Sequence, residues 1–282
     1  MTAALGDGPL LVLEDLEPGD ASPPISVLGK AQLLFAAFDG VRTTLGLTEL
    51  SRLSGVPKAT AYRLAQELVH LNFLERVEGG YQLGWRMFEL GQLVPGPAKL
   101  RRAARPALND LHILTGAVIH LAVPDGDHSL YLERFAGRRE AHISNSVSDR
   151  FPQCFTASGK LFLAQSLHAE VIIKMLERGN FRRPTNKSVG SGHQLRDQLD
   201  AIRKRGWSVE QEECLNGYKS YAVPILIDGS LGVAAAISAT INVNRRDDHQ
   251  VMRALTSASA DISQGLRHSI TGVRSVLHSR QR

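Results

Sequence analysis

The stretch LTELSRLSGVPKATAYRL, residues 47–64, decides how the start of this chain folds. Thr48 stands where a helix N-cap is expected, Glu49 suits the first turn, and Gly55 suits the left-handed residue that closes a short helix. Pro57 is tolerated in the first turn of the helix that follows. That helix puts Ala61, Leu64, Ala65 and Leu68 on one face and leaves Lys58, Thr60, Arg63 and Glu67 outside. Two helices around a tight glycine turn occur in ordinary bundles as well as in DNA readers, and pattern alone leaves both readings open.

The flanks extend the pattern. Upstream, Val27, Ala31, Leu34, Phe35 and Phe38 recur at helical spacing, Lys30 and Gln32 fall on the other side, and Asp39-Gly40 ends the helix. Downstream, residues 74–77 and 81–83 flank Glu78-Gly79-Gly80, which reads as a hairpin with a glycine turn. Three helices and a small hairpin make the order of a winged helix-turn-helix, whose second paired helix projects into a major groove. The groups offered to DNA are Thr48, Lys58, Ala59, Thr60, Tyr62 and Arg63 on the helices, with Arg76 and Tyr81 on the wing. Bases barely outnumber acids over this region. Placement matters more than the sum, because Asp39, Glu67, Glu75 and Glu78 all lie outside the turn and the start of the third helix.

Residues 47–64 closely resemble the DNA-binding domain of IclR-family regulators, as does Tyr81-Gln82-Leu83-Gly84 after the wing. Ala157-Ser158-Gly159-Lys160-Leu161-Phe162-Leu163-Ala164 looks like that family's signature at the start of an effector-domain helix. Arg205-Gly206-Trp207-Ser208, Glu212-Glu213, Gly217 and Ala222-Val223-Pro224-Ile225 match its C-terminal half. The likeness runs in order from about Ser26 to the end of the chain. It implies an α+β protein with a winged helix-turn-helix over 26–84 and a linker helix over 85–98. Residues 99–282 would then form a GAF-like effector-binding and oligomerisation domain, a curved antiparallel sheet with a small-molecule pocket on one face. Residues 1–25, with five carboxylates, no base and several glycines and prolines, read as a flexible acidic tail.

The rest of the chain suits that expectation. The segment 85–93, with Val94 just after it, places Met87, Leu90 and Val94, with Phe88 nearby, on an apolar stripe that Pro95-Gly96-Pro97 stops. Lys99, Arg101, Arg102 and Arg105 open a further helix through Leu108, Leu111 and Leu114; this cluster reads as a solvated face, with DNA phosphates as the alternative. Strands are expected over 117–123, 129–134, 221–227 and 231–241, and helices over 157–165, 169–178, 194–205 and 247–269. Thr156-Ala157-Ser158-Gly159 sits at a helix start, where free N–H groups and the helix dipole favour an anion. In the strand ending at Ile241, period two puts Ala234, Ala236, Ser238 and Thr240 on one face. Val233, Ala235, Ile237, Ala239 and Ile241 form the other, the core face.

The resemblance implies effector contacts from the main chain of Ala157 and Ser158 and from Glu210, Ser220, Ser238 and Thr240. Read from periodicity alone, those groups serve as readily as helix caps and solvent-facing hydroxyls. Tyr131, Phe151, Phe155, Trp207 and Tyr218 line such a cavity or pack the core. Where the family often has a histidine before the signature helix, this chain has Cys154, which points to a less polar or larger ligand.

Totals narrow the classes. The 282 residues, 43% of them apolar, suffice for two domains. No apolar run reaches the ~18 residues of a membrane span, and no secretory signal pattern opens the chain, so no membrane partner and a cytoplasmic location are expected. The formal net charge of +5, with five unopposed carboxylates in the tail, leaves a basic body suited to a polyanion. Cys154 and Cys214 are too few for a disulfide framework and lack metal-ligand spacing, and no cofactor or metal is expected. Gly159-Lys160 lacks the rest of a phosphate-binding loop, Ser158 lacks a nucleophile elbow, and Glu213-Cys214 has no nearby histidine to activate the thiol. A non-enzymatic regulator is therefore expected. It would bind a pseudo-palindromic operator as a homodimer or dimer of dimers and respond to a small organic acid, aromatic in one version. A regulator with a ligand-insensitive sensor, and more remotely a thiol-dependent hydrolase, are the rivals.

Overall fold

The computed structural model describes residues 26–38, 42–94, 97–138, 140, 143, 150–226 and 234–278. They form two compact units that divide at residues 95–96. The acidic tail, the helix stop at Asp39-Gly40 and the turn at Asp228-Gly229-Ser230 lie outside the described residues.

In the first unit, α1 (Val27–Ala36) starts at Ser26, whose hydroxyl accepts the Gly29 N–H at 3.0 Å. Helix α2 (Leu47–Ser54) ends on Gly55 at φ +66°, the left-handed cap that only glycine adopts freely. Gly46, not Thr48, is the N-cap of α2. The reason is tertiary: Leu45 exchanges two 2.9 Å backbone hydrogen bonds with Tyr81, which fixes where the chain enters the helix. Ser51 Oγ donates to the Val56 carbonyl at 2.7 Å, and Ser54 Oγ accepts the Val56 N–H at 3.3 Å, so both serines hold the turn. Pro57 then serves as the N-cap of α3 (Lys58–His70) rather than as a first-turn residue.

Ala61, Leu64, Ala65 and Leu68 bury with Leu34, Leu45, Leu50 and Leu74. Strands β1 (Leu74–Val77) and β2 (Gly80–Leu83) pair antiparallel as the wing. Helix α4 (Trp85–Gln92) buries none of its residues, and Trp85 and Leu93 are each 75% exposed. The apolar stripe expected here therefore has no core beneath it among the described residues of the first unit.

The second unit runs α5 (Pro97–Thr115), β3 (Val118–Asp125), β4 (His128–Phe135), β5 (Arg150–Pro152), a 3-10 turn (Gln153–Phe155) and α6 (Ala157–Ala164). It continues with α7 (Ala169–Glu177), α8 (Gly192–Arg205), β6 (Ser208–Gln211), β7 (Tyr218–Ile225), β8 (Ala235–Asn242) and α9 (Asp248–His278). One antiparallel sheet orders the strands β5-β4-β3-β8-β7-β6. The edge strands β5 and β6 were not expected. They are three and four residues long, and their pairing with β4 and β7 creates them.

Alternation divides the sheet as the period-two pattern of β8 requires. Ile119, Leu121, Tyr221, Val223, Ile237, Ala239 and Ile241 pack on Leu100, Leu108 and Leu111 of α5 and on Val251, Leu255 and Ile262 of α9. Leu114, expected on that stripe, is exposed at the end of α5. On the opposite face the small residues Ala122, Ala222 and Ala236 let α6 approach, with α7 and α8 completing that core. A register shift at Leu121/Ala122 bulges β4, so Tyr131 pairs with Ala122 and Glu133 with Leu121. The two side chains thereby point to opposite faces. Glu133 accepts from Arg101 at 2.8 Å, with Arg105 at 3.8 Å, so half of the basic cluster faces β4 rather than lying wholly in solvent. Among the described residues no helix is long and apolar enough to cross a membrane.

Candidate functional site

On the first unit, the outward face of α3 presents Lys58, Ala59, Tyr62 and Arg63, with Thr60 half-buried beside them. Lys58 Nζ donates to Thr48 Oγ1 at 2.8 Å, so the starts of α2 and α3 are tied at the exposed edge. Arg76 is exposed on the wing and lies over the Tyr81 ring at 5.8 Å. Tyr81 itself is 4% exposed, packs in the core of this unit, and its hydroxyl accepts from Gln66 Nε2 at 3.1 Å. It therefore supports the wing from inside and does not reach a nucleic acid. The β2 alternation alone did not say which face was the core; the Leu45 bridge does.

On the second unit, Ala157, Ser158, Glu210, Ser220, Ser238 and Thr240 all line one narrow cavity. They come from α6, β6, β7 and β8. Cross-strand pairing explains the convergence: Thr240 stands opposite Ser220, and Ser220 opposite Glu210, in one row across three strands. Ser220 Oγ donates to Glu210 Oε1 at 2.6 Å and lies 3.0 Å from Thr240 Oγ1. Glu210 Oε2 accepts the N–H groups of Glu213 at 2.9 Å and Cys214 at 3.2 Å. Burial pushes the Glu210 carboxyl up to about 7, against the opposing pull of Ser220, Lys160 and those two N–H groups.

At the mouth of α6, Thr156 Oγ1 takes the Gly159 N–H at 3.0 Å. That leaves the N–H groups of Ala157 and Ser158, which have no partner inside the helix, at its positive end on the cavity wall. Tyr131 and Tyr218 line the cavity too, and burial raises the Tyr131 phenol. The other aromatics do not line it: Phe151 and Phe155 pack in the core around α6, and Trp207 belongs to the opposite face of the sheet. Cys154 is fully buried in the α6 core, where burial pushes its thiol up to about 12. It is absent from the cavity wall, so it does not set the polarity of the ligand space. The space is narrow, so a ring-sized occupant requires its wall to yield.

Cys214 lines the cavity, yet burial raises its thiol well above the ordinary value, with Glu210 adding to the rise. A thiol held protonated is the reverse of an activated nucleophile. Of the polar residues lining the cavity, His120 is the one that sequence reading missed. The available signal was one histidine in the otherwise apolar run Val118-Ile119-His120-Leu121-Ala122.

The helix-turn-helix residues 27–78 match the family model described as IclR helix-turn-helix domain. Residues 95–264 match that of the bacterial transcriptional regulator IclR C-terminal domain. The HTH-type transcriptional regulator KdgR of Dickeya chrysanthemi is 30% identical over 254 residues, covering 88% of this chain and 81% of its own length. The p-hydroxybenzoate hydroxylase transcriptional activator of Acinetobacter baylyi is 27% identical over 217 residues, covering 75% and 79%. An IclR homolog of Microbacterium hydrocarbonoxydans, crystallised with 4-hydroxybenzoate, superimposes with TM-score 0.73 at 24% identity, covering 86% of this chain and 100% of that one, a likeness of fold.

Proposed function

Because the chain belongs to the IclR family of bacterial transcriptional regulators, we propose that it binds operator DNA through α3 and that a small organic acid in the sheet cavity modulates that binding. The observation that carries the sensing half is the convergence of six residues from four separate elements on one cavity. In this reading the acid's carboxylate sits on the N–H groups of Ala157 and Ser158, while Ser238 and Thr240 meet its other oxygens. Glu210 and Ser220 form the polar row that carries Thr240. An aromatic acid is favoured by the tyrosines on the wall. The 4-hydroxybenzoate bound by the Microbacterium homolog makes that compound a natural first probe. The role is regulatory and cytoplasmic, without catalysis.

One reading head covers a half-site, so a dimer or dimer of dimers on a pseudo-palindrome is part of the reading. The exposed apolar side chains Val27 and Leu28 of α1 and Trp85 and Phe88 of α4 suit burial against a second copy. A ligand acts only by favouring one arrangement over another. The Glu133 grip on Arg101 and Arg105 connects the bulged pocket strand β4 to α5, the first helix after the reading unit.

Two outcomes check this. Arg63→Ala should weaken specific operator binding by roughly 1–3 kcal/mol, and wild-type binding should fall steeply with salt. Fluorescence anisotropy on a labelled operator measures both, and unchanged affinity in Arg63→Ala removes α3 as the reading helix. Effector affinity should also depend on pH. Below about 7 the Glu210 carboxyl is neutral; above it the group ionises and repels a bound carboxylate. Calorimetry with 4-hydroxybenzoate should therefore show binding about fivefold tighter at pH 6 than at pH 8, for a coupling of ~1 pKa unit. Glu210→Gln should flatten that dependence. Equal wild-type affinity at the two pH values would separate Glu210 from the ligand.

A further inference from the structure

His120 is 3% exposed, stands on β3 opposite Ser238 of β8 and Arg134 of β4, and forms part of the cavity wall. Its Nε2 has no hydrogen-bond partner among the described residues. Its ring lies against Tyr131, with centroids 4.9 Å apart and planes tilted by 41°. Burial, seconded by the charge of Arg134, pushes the imidazole down to about 3, so the ring is neutral. Buried polar atoms in native proteins are nearly always satisfied, and a histidine kept only for packing would be expected to show a bonded nitrogen. An apolar side chain would fill the same place in this valine-, isoleucine- and leucine-bearing strand at no such cost.

Resting on the cavity reading above, we propose that His120 selects the effector by accepting a hydrogen bond at Nε2 from a neutral hydroxyl at the end of the acid remote from its carboxylate. The carboxylate end is assigned to the N–H groups at the start of α6, where the helix dipole favours negative charge. The floor near His120 is of another kind. Ser238, Thr240 and Ser220 lead along it to Glu210, and a second anion there would face that carboxyl. A neutral imidazole in its Nδ1–H form offers one lone pair at Nε2, which an O–H matches and a carboxylate does not. The ligand class is thus a hydroxylated aromatic acid with its hydroxyl across the ring from the carboxylate, its apolar body covered by Tyr131, Leu215 and Tyr218.

Discrimination follows from what the wrong ligand leaves behind. A deoxy analogue fills the cavity but keeps Nε2 buried and unmatched, whereas the hydroxylated acid satisfies it. Calorimetry on the full chain with 4-hydroxybenzoate and benzoate should show a preference of roughly 10- to 100-fold for the hydroxylated probe. In His120→Phe, which keeps a flat ring and loses the nitrogen, the two should bind within about threefold of each other. As a readout independent of that variant's folding, long-range ¹H–¹⁵N spectra of the wild type should show one non-titrating histidine whose Nε2 signal moves with 4-hydroxybenzoate and stays with benzoate. Equal affinities in the wild type, or a preference that survives in His120→Phe, overturn the role of His120 while leaving the cavity reading in place. Failure of both acids to bind the wild type overturns both.

Discussion

Glu213→Leu is expected to destabilise the second unit by about 4 kcal/mol, within the ~3–5 kcal/mol that breaking a buried ion pair costs. The family signature places Lys160 in the middle of α6, fully buried, and its ammonium reaches Glu213 Oε1 at 2.5 Å. That pair pins the segment after β6, which bears Cys214 and Leu215 of the cavity wall, to the helix that supplies Ala157 and Ser158. The two partners are not equally dependent. Glu213 also accepts the Val189 N–H at 3.0 Å and Gln198 Nε2 at 3.3 Å, whereas the Lys160 ammonium has Glu213 as its only hydrogen-bond partner among the described residues. Removing the lysine therefore leaves a carboxylate with two donors, while removing the glutamate leaves an ammonium with none. Lys160→Met should cost less, about 3 kcal/mol, and the double variant less than the sum of the singles. Urea denaturation followed by Trp207 fluorescence, in a Trp85→Phe background that silences the first unit, measures all three. Costs below ~1 kcal/mol for both singles would mean the pair is not buried as described.

Gly159→Ala is expected to cost about 3 kcal/mol and to abolish effector binding, although alanine is ordinarily the better helix former. A Cβ on Gly159 would stand 2.3 Å from the carbonyl oxygen of Gln153 and 2.4 Å from its Cα. These are backbone atoms and cannot swing away. Gln153 is itself fixed, its Nε2 donating to the Gly126 and His128 carbonyls at 3.3 and 3.0 Å. The methyl must push the 3-10 turn off the helix start, and Thr156 would lose its capping bond to the Gly159 N–H. Heat denaturation and calorimetry with 4-hydroxybenzoate check the two halves. A variant with wild-type stability would show that α6 and the 3-10 turn do not touch as closely as described.

These two substitutions also show what a sequence can carry. The helix-turn-helix was legible because its signals are local: Gly55 closes α2, and four apolar residues on one face define α3. Two of its misread residues, Thr48 and Tyr81, trace to Leu45, a lone strand-like residue whose pairing with β2 no local pattern announces. In the second unit, period two divided β8 correctly, and the resemblance brought six residues that the fold gathers on one cavity. The motif's Gly159 and Lys160 could be quoted but not explained until Gln153 and Glu213 stood against them, because those partners lie on separate elements. His120 stood out in its apolar strand but had no readable role, for a related reason. Its meaning lies in a missing partner, and only coordinates show what a side chain lacks.

In the proposed function one molecule reads DNA with α3 and senses an acid in the sheet cavity. The most direct test titrates 4-hydroxybenzoate, and failing a response a panel of small aromatic acids, into the complex of the full chain with operator DNA selected from a random pool. Anisotropy is followed for the wild type and for Ser220→Ala combined with Ser238→Ala. An acid should shift operator affinity of the wild type at least fivefold, roughly 1 kcal/mol of coupling. The double variant should bind the same operator as tightly as the wild type and show no shift. A double variant that still responds at the same acid concentration would place the sensing site elsewhere and overturn the role of the cavity.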